Sequence, residues 1–164
     1  MSAIDFNGRL FGWGYNLYGQ VGQGNTTNYS SPVQIGTSSW SYISAGEYQL
    51  SGLIGNTAWV LGYGNNYGLG AGGATSYSSP VQVAAGTIYQ QTIGIAAGTY
   101  TSVALMEASV SANANPVSLY AWGINQSGQF GNGITASYNT SPILVNSMQF
   151  GKAVYATSNT IIRQ

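Results

Sequence analysis

Few side chains in this sequence can do chemistry. Histidine and cysteine are absent, and the charged residues are three acids (Asp5, Glu47, Glu107) and three bases (Arg9, Lys152, Arg163). General acid–base catalysis or a hard-cation site needs two or more converging groups, and these acids are widely spaced. Without cysteine there is no thiolate nucleophile, disulfide or cysteine metal site. Lys152 has no neighbouring base or acid to tune it for Schiff-base chemistry. Gly68-Leu69-Gly70-Ala71-Gly72-Gly73 has the spacing of a dinucleotide-binding loop. That mechanism also needs a helix N-terminus behind the glycines and an acid about 20 residues on. Tyr77-Ser78-Ser79-Pro80 follows instead, so the run reads as a turn. The expectation is a chain with no catalytic residue, no metal and no cofactor.

Tyrosine is the one abundant functional side chain, with 13 copies. It offers large contact area at low entropic cost and is enriched at interface hot spots. Tyr15, Tyr18, Tyr63 and Tyr67 lie in Gly/Asn-rich stretches and are candidate surface contacts. Tyr29, Tyr77 and Tyr138 precede Pro32, Pro80 and Pro142 and are candidates too, although packing between structural units, with the hydroxyl reaching water, is the favoured account of them. Trp13, Trp59 and Trp122 read as core, and Trp40 is open. A sugar-binding role for these aromatics would require acids or amides in fixed register, which the sequence does not display.

The elements that hold these residues recur three times. Leu10-Phe11-Gly12-Trp13-Gly14-Tyr15-Asn16 leads through Gly19-Gln20-Val21-Gly22 to Ser31-Pro32-Val33. Val60-Leu61-Gly62 leads through Gly68-Leu69-Gly70 to Ser79-Pro80-Val81, and Ala121-Trp122-Gly123-Ile124-Asn125 leads through Gly128-Gln129-Phe130-Gly131 to Ser141-Pro142-Ile143. Trp13, Gly14, Gly22 and Pro32 thus correspond to Leu61, Gly62, Gly70 and Pro80, and to Trp122, Gly123, Gly131 and Pro142. Each phrase is followed by a second apolar segment, Trp40 to Gly46 and Ile93 to Gly98, with Ala153 to Ser158 as the shorter third. Short runs of Val, Ile, Thr, Tyr and Trp bounded by Gly, Asn, Ser and Pro predict strands. Gly55-Asn56 predicts a hairpin turn. Ser102–Met106 and Ser118–Trp122 predict a second hairpin, whose long connection, 107–117, is an insertion. Four short strands per copy of about 50 residues predict an all-β fold of β-propeller-type blades, with few or no helices. The expected blades run from about 8 to 55, 56 to 117 and 118 to 164.

Composition limits the partners. Apolar residues make up 44% and charged residues 4%, which predicts folding rather than disorder. No Lys/Arg cluster exists to neutralise phosphates or an anionic membrane surface, so neither nucleic acid nor membrane is an expected partner. The first residues lack the pattern of a signal peptide, and no apolar run approaches the length of a membrane span. The Asn-x-Ser/Thr triplets beginning at Asn25, Asn28, Asn125 and Asn139 read as chance in so Asn/Ser/Thr-rich a sequence. A net charge of zero gives little protection from association.

The Trp-Gly-x-Asn-x-x-Gly-Gln-φ-Gly core (φ apolar) at Trp122–Gly131 and Trp13–Gly22, with the later Pro-Val and Ile-Ala-x-Gly segments, resembles the regulator of chromosome condensation repeat. The resemblance covers roughly Asn7 to Tyr155. Copy two departs at Leu61 and Gly68. The family's histidine is missing, with Tyr48 and Tyr100 near its place. The resemblance implies a scaffold whose propellers close with about seven blades, and it carries over no functional residue. Members include an exchange factor for a small GTPase, secreted β-lactamase inhibitors and interaction modules. Three copies imply a partial propeller or one completed by oligomerisation. The segment Phe6–Phe11 reads as the last strand of a preceding blade, a strand the third copy lacks, so a second subunit could supply it. The leading expectation is a non-catalytic interaction protein located in a virion, a phage decoration or tail-associated component bound to other structural proteins or to itself. The alternative is a cellular, cytoplasmic regulatory or inhibitory binding module, and a third reading is a carbohydrate-binding propeller.

Overall fold

Runs of β-branched and aromatic residues become strands throughout the computed structural model, which describes residues 1–83, 90–108, 117–146, 154–156 and 161–163. No helix occurs among the described residues. Strands β1 (Ser2–Ile4), β2 (Leu10–Gly14) and β3 (Tyr29–Gln34) form one antiparallel sheet. Strands β4 (Trp40–Ala45), β5 (Gln49–Ile54), β6 (Thr57–Gly62) and β7 (Tyr77–Gln82) form a second. Strands β8 (Gln90–Ala97), β9 (Thr101–Ala108), β10 (Val117–Asn125) and β11 (Ala136–Asn146) form a third, and β12 (Val154–Ala156) pairs with β13 (Ile161–Arg163). The fold is all-β with propeller-type blades.

Each sequence copy contributes four strands, but these divide between two sheets. The Trp-Gly and Pro-Val segments form the third and fourth strands of one sheet (β2–β3, β6–β7, β10–β11), and the copy then supplies the first two strands of the next (β4–β5, β8–β9, β12–β13). The repeat limits near 55/56 and 117/118 therefore fall inside sheets. The first lies in the turn joining β5 to β6, where Ile54 pairs with Thr57 and Gly55 has φ of 58°. The second lies at the start of β10, whose pairing of Val117 with Glu107 extends the predicted hairpin to the edge of the insertion; positions 109–116 lie outside the described residues, as does Lys152.

This offset corrects the reading of the N-terminus. Of the segment Phe6–Phe11, residues 6–9 form the connection from β1 and Leu10–Phe11 begin β2, which pairs with β1 as β6 does with β5, so the segment belongs to the first sheet and is not the last strand of an earlier one. The strand corresponding to β1 after the third copy is β13. Prolines 32, 80 and 142 sit on β3, β7 and β11, the outer strand of each sheet, where a missing N–H is tolerated.

Three apolar cores alternate with the sheets. Leu10, Ile35, Trp40, Leu50 and Leu61 fill the space between the first and second sheets. Leu53, Val60, Leu69, Ile95, Met106 and Trp122 fill that between the second and third. Val103, Leu105, Leu119, Phe130 and Val145 form the last. Among the tryptophans, Trp122 is fully buried, whereas Trp13 and Trp59 are only half-buried, against expectation. The reason is positional. Trp122 points from the third sheet back onto the second, and by the same register Trp13 faces away from the second sheet, where no described strand covers it. Trp40 does belong to the core, packed on Gly52, with its indole N–H unpartnered.

Candidate functional site

One rule builds the loop that follows β2, β6 and β10. The apolar residue of the Gly-Gln-φ-Gly phrase, Val21, Leu69 or Phe130, is driven inward and fully buried. In copies one and three a buried asparagine organises the loop around it. Asn16 Oδ1 accepts the Val21 N–H at 2.8 Å, while its Nδ2 donates to the carbonyls of Asn25 (3.0 Å) and Thr27 (2.8 Å). Asn125 likewise accepts from the Phe130 N–H (2.9 Å) and donates to the Ile134 carbonyl (2.8 Å). Copy two has Gly64 at this position, where backbone Thr75 crowds in and Ser76 Oγ accepts the Gly64 N–H. The first two loops are then locked onto the next sheet's outer strand, Gly24 N–H donating to Ser78 O and Gly72 N–H to Thr140 O.

The glycines after the apolar plug are contact points between sheets. Gly22 packs against Leu61, and Gly70, with φ of 66°, lies under the Trp122 indole, where a Cβ would sit 2.5 Å from Nε1. Gly68 has a related role. Its carbonyl accepts both Trp122 Nε1–H (2.9 Å) and Ser102 Oγ–H (2.8 Å), and a side chain at 68 would meet Gln49. Gln49 Nε2 donates to Gly98 O (2.7 Å) and Ser102 Oγ (3.2 Å), completing a buried polar bridge between sheets two and three. Gln49 follows Tyr48 directly, so the buried polar group of this turn lies one residue beyond the tyrosine noted in the sequence.

These locked loops carry the tyrosines, which divide into two groups. Tyr18 and Tyr63 meet Tyr48 from the β4–β5 turn, and Tyr15 joins them through Tyr18. Ring centroids are 6.4 Å apart for 15–18, 4.5 Å for 18–63, 5.4 Å for 18–48 and 6.3 Å for 48–63. Tyr67 instead stacks on Tyr138 at 3.8 Å with a 12° interplanar angle. Tyr67 is also the one described non-glycine residue with positive φ, 62°, where copies one and three have Gly19 and Gly128. Holding a bulky residue there costs about 1–2 kcal/mol, and an aromatic pair returns about 0.5–1.5 kcal/mol. A hydrogen bond with Tyr138 raises the Tyr67 phenol above its ordinary value. Tyr29 accepts from Asn25 Nδ2, Tyr77 packs on the second core, and Tyr138 is exposed, so one repeat position serves three ends.

Tyr48 was the missed member of the larger cluster, and beside it stands Glu47. A hydrogen bond to the Glu47 carboxylate, reinforced by its charge, pushes the Tyr48 phenol from 10.0 up to about 12. The folded chain thus holds this proton more tightly than the unfolded chain. The stability it contributes is complete below pH 10 and is lost as pH rises through about 12. Phenolate absorbance of the native chain should show one tyrosine titrating near 12, and Glu47→Gln should return it toward 10. A cavity of about 260 Å³ opens beside the cluster, lined by Tyr15, Gln20, Glu47 and Gln49 among others. No group of three or more acids that could hold a metal ion occurs among the described residues, and they include no helix long and apolar enough to cross a membrane.

The inter-sheet contacts follow the thrice-repeated phrase, and the family model for the "Regulator of chromosome condensation (RCC1) repeat" matches residues 7–50. Residues 7–50 thus carry an RCC1 repeat, and the chain is similar to proteins of that family. Its sequence is 52% identical over 33 residues to the ultraviolet-B receptor UVR8 of Arabidopsis thaliana, a match covering 20% of this chain and 8% of that protein. Its fold is similar to human WBSCR16 (TM-score 0.74, 18% identity), over 94% of this chain and 39% of that one. It is also similar to Prp20p of Saccharomyces cerevisiae (TM-score 0.69, 20% identity), over 88% of this chain and 36% of that one. The RCC1-repeat chain therefore spans well under half the length of each of these relatives.

Proposed function

We propose that this RCC1-repeat chain is a non-catalytic protein-binding module of regulatory type. The observation that carries the reading is the contiguous tyrosine cluster, assembled from the loops of two adjacent sheets and fixed from beneath by buried asparagine and inter-sheet hydrogen bonds. Such preorganised aromatic area is what protein interfaces use for their dominant contacts. The structure of Prp20p is described together with its binding properties to Gsp1p and histones, which supports protein partners for a fold of this kind. A virion role, the leading expectation from composition, gains no support from the relatives found, which belong to a plant, a human and a yeast. They favour the alternative, a cellular binding module.

The test is affinity capture with the tagged chain against its Tyr18→Ser/Tyr63→Ser variant, each checked by thermal melting. The expected result is a defined protein partner retained by the parent chain and reduced at least tenfold with the variant, about 1.4 kcal/mol of binding. Capture of no protein, or of the same protein equally by both, would sink the reading.

A further inference from the structure

We infer that the Tyr15–Tyr18–Tyr48–Tyr63 cluster with the Glu47 carboxylate is a docking surface for an arginine-bearing segment of a partner protein. The inference rests on the protein-binding reading above and names the chemistry of the partner. Aromatic faces carry negative potential and attract cations, arginine above all, because a planar guanidinium can both stack on a ring and fork onto a carboxylate. Four such rings lie in contact here, and Tyr15 is 52% exposed.

Charge complementarity selects the occupant. Glu47 is exposed, its neighbour in hydrogen bonding is the neutral Tyr48 phenol, and no ion pair reaches it among the described residues. Arg9 is held on Asp5 at 2.6 Å and lies over the Phe11 ring. The Met1 ammonium, which lines this cavity together with Glu47, donates to the Trp13 carbonyl at 2.8 Å. The cavity of about 260 Å³ beside Tyr15 has room for a guanidinium head and is lined by Glu47 and Gln20.

The experiment is calorimetric titration of the whole chain with a short Gly-Arg repeat peptide and with its citrulline counterpart, which keeps the shape and removes the charge. The arginine peptide is expected to bind and to perturb tyrosine fluorescence, with the citrulline peptide roughly tenfold or more weaker and the affinity falling as salt rises. Glu47→Gln is expected to weaken binding roughly five- to tenfold, and Tyr63→Leu to a similar extent, with the melting temperature of each variant measured alongside. Equal binding of the two peptides, no binding of either, indifference to Glu47→Gln, or preferential binding of a glycan would each overturn the proposal. A captured protein partner held equally by the parent chain and by Glu47→Gln would overturn it too, while leaving the protein-binding reading intact. Failure to capture any protein would remove that reading, and the peptide titration would still decide this one.

Discussion

Gly70→Ala is expected to lower the free energy of unfolding by about 3 kcal/mol, combining left-handed backbone strain with overpacking. Gly70 has φ of 66°, which disfavours any Cβ, and that Cβ would lie 2.5 Å from Nε1 of Trp122 and 2.6 Å from Cδ1. The indole cannot retreat freely. It is fully buried, and its N–H donates to the Gly68 carbonyl at 2.9 Å, so relief of the clash would break a buried hydrogen bond. Equilibrium unfolding in urea measures the effect. Gly73→Ala is the control, because nothing lies within 4 Å of its Cβ and its φ is not positive, and it should change stability by less than about 0.5 kcal/mol. Coupling gives a sharper check. In a Trp122→Ala background the steric part of the Gly70→Ala cost should disappear and the strain should remain, making the two changes non-additive. Additive losses would mean that Gly70 and Trp122 do not meet as described.

Asn16→Ala is the second large effect, with an expected loss of about 2–4 kcal/mol. The substitution strips the Val21 N–H of its acceptor and the Asn25 and Thr27 carbonyls of their donor, inside a loop whose plug, Val21, is buried. Asn125→Ala removes one donor bond fewer, since Asn125 serves Phe130 N–H and the Ile134 carbonyl, and it should cost less. Asn16→Asp is the diagnostic companion. It keeps the acceptor for Val21 but turns a buried carboxyl group against the Asn25 and Thr27 carbonyls, so it should cost at least as much as Asn16→Ala. The same loop carries Tyr15 and Tyr18, so loosening it should also disperse the tyrosine cluster. A fluorescence change at the tyrosines of Asn16→Ala, in buffer where the chain is still folded, would register that.

The fold was legible because its determinants are local. Strand-forming runs, the Gly55-Asn56 turn and the spacing of the three phrases each act over a few residues, and they predicted antiparallel strands without helices. The membership of the sheets was not legible. A sequence copy is a unit of repetition, whereas a sheet is a unit of hydrogen bonding, and nothing in β4–β5 announces that they join the copy that follows. The burial of the tryptophans was misread for a similar reason. Trp13 and Trp122 occupy the same place in the phrase, but only Trp122 has a sheet packed against its indole.

The interaction surface was half visible. Tyr15, Tyr18, Tyr63 and Tyr67 were marked by abundance and by their Gly/Asn-rich surroundings. Their division into one cluster and one stacked pair depends on how far each loop reaches toward the next sheet. Tyr48 and Glu47 join the cluster because the β4–β5 turn rises between two such loops, a proximity of residues some 30 positions apart in sequence. By itself the sequence determined the strand chemistry, the repeated loop with its buried apolar plug, and a surface almost without charge. Which rings meet, and that a lone carboxylate stands beside them, was decided only by the packing of sheet on sheet, because contact between distant segments depends on their relative placement and not on their own composition.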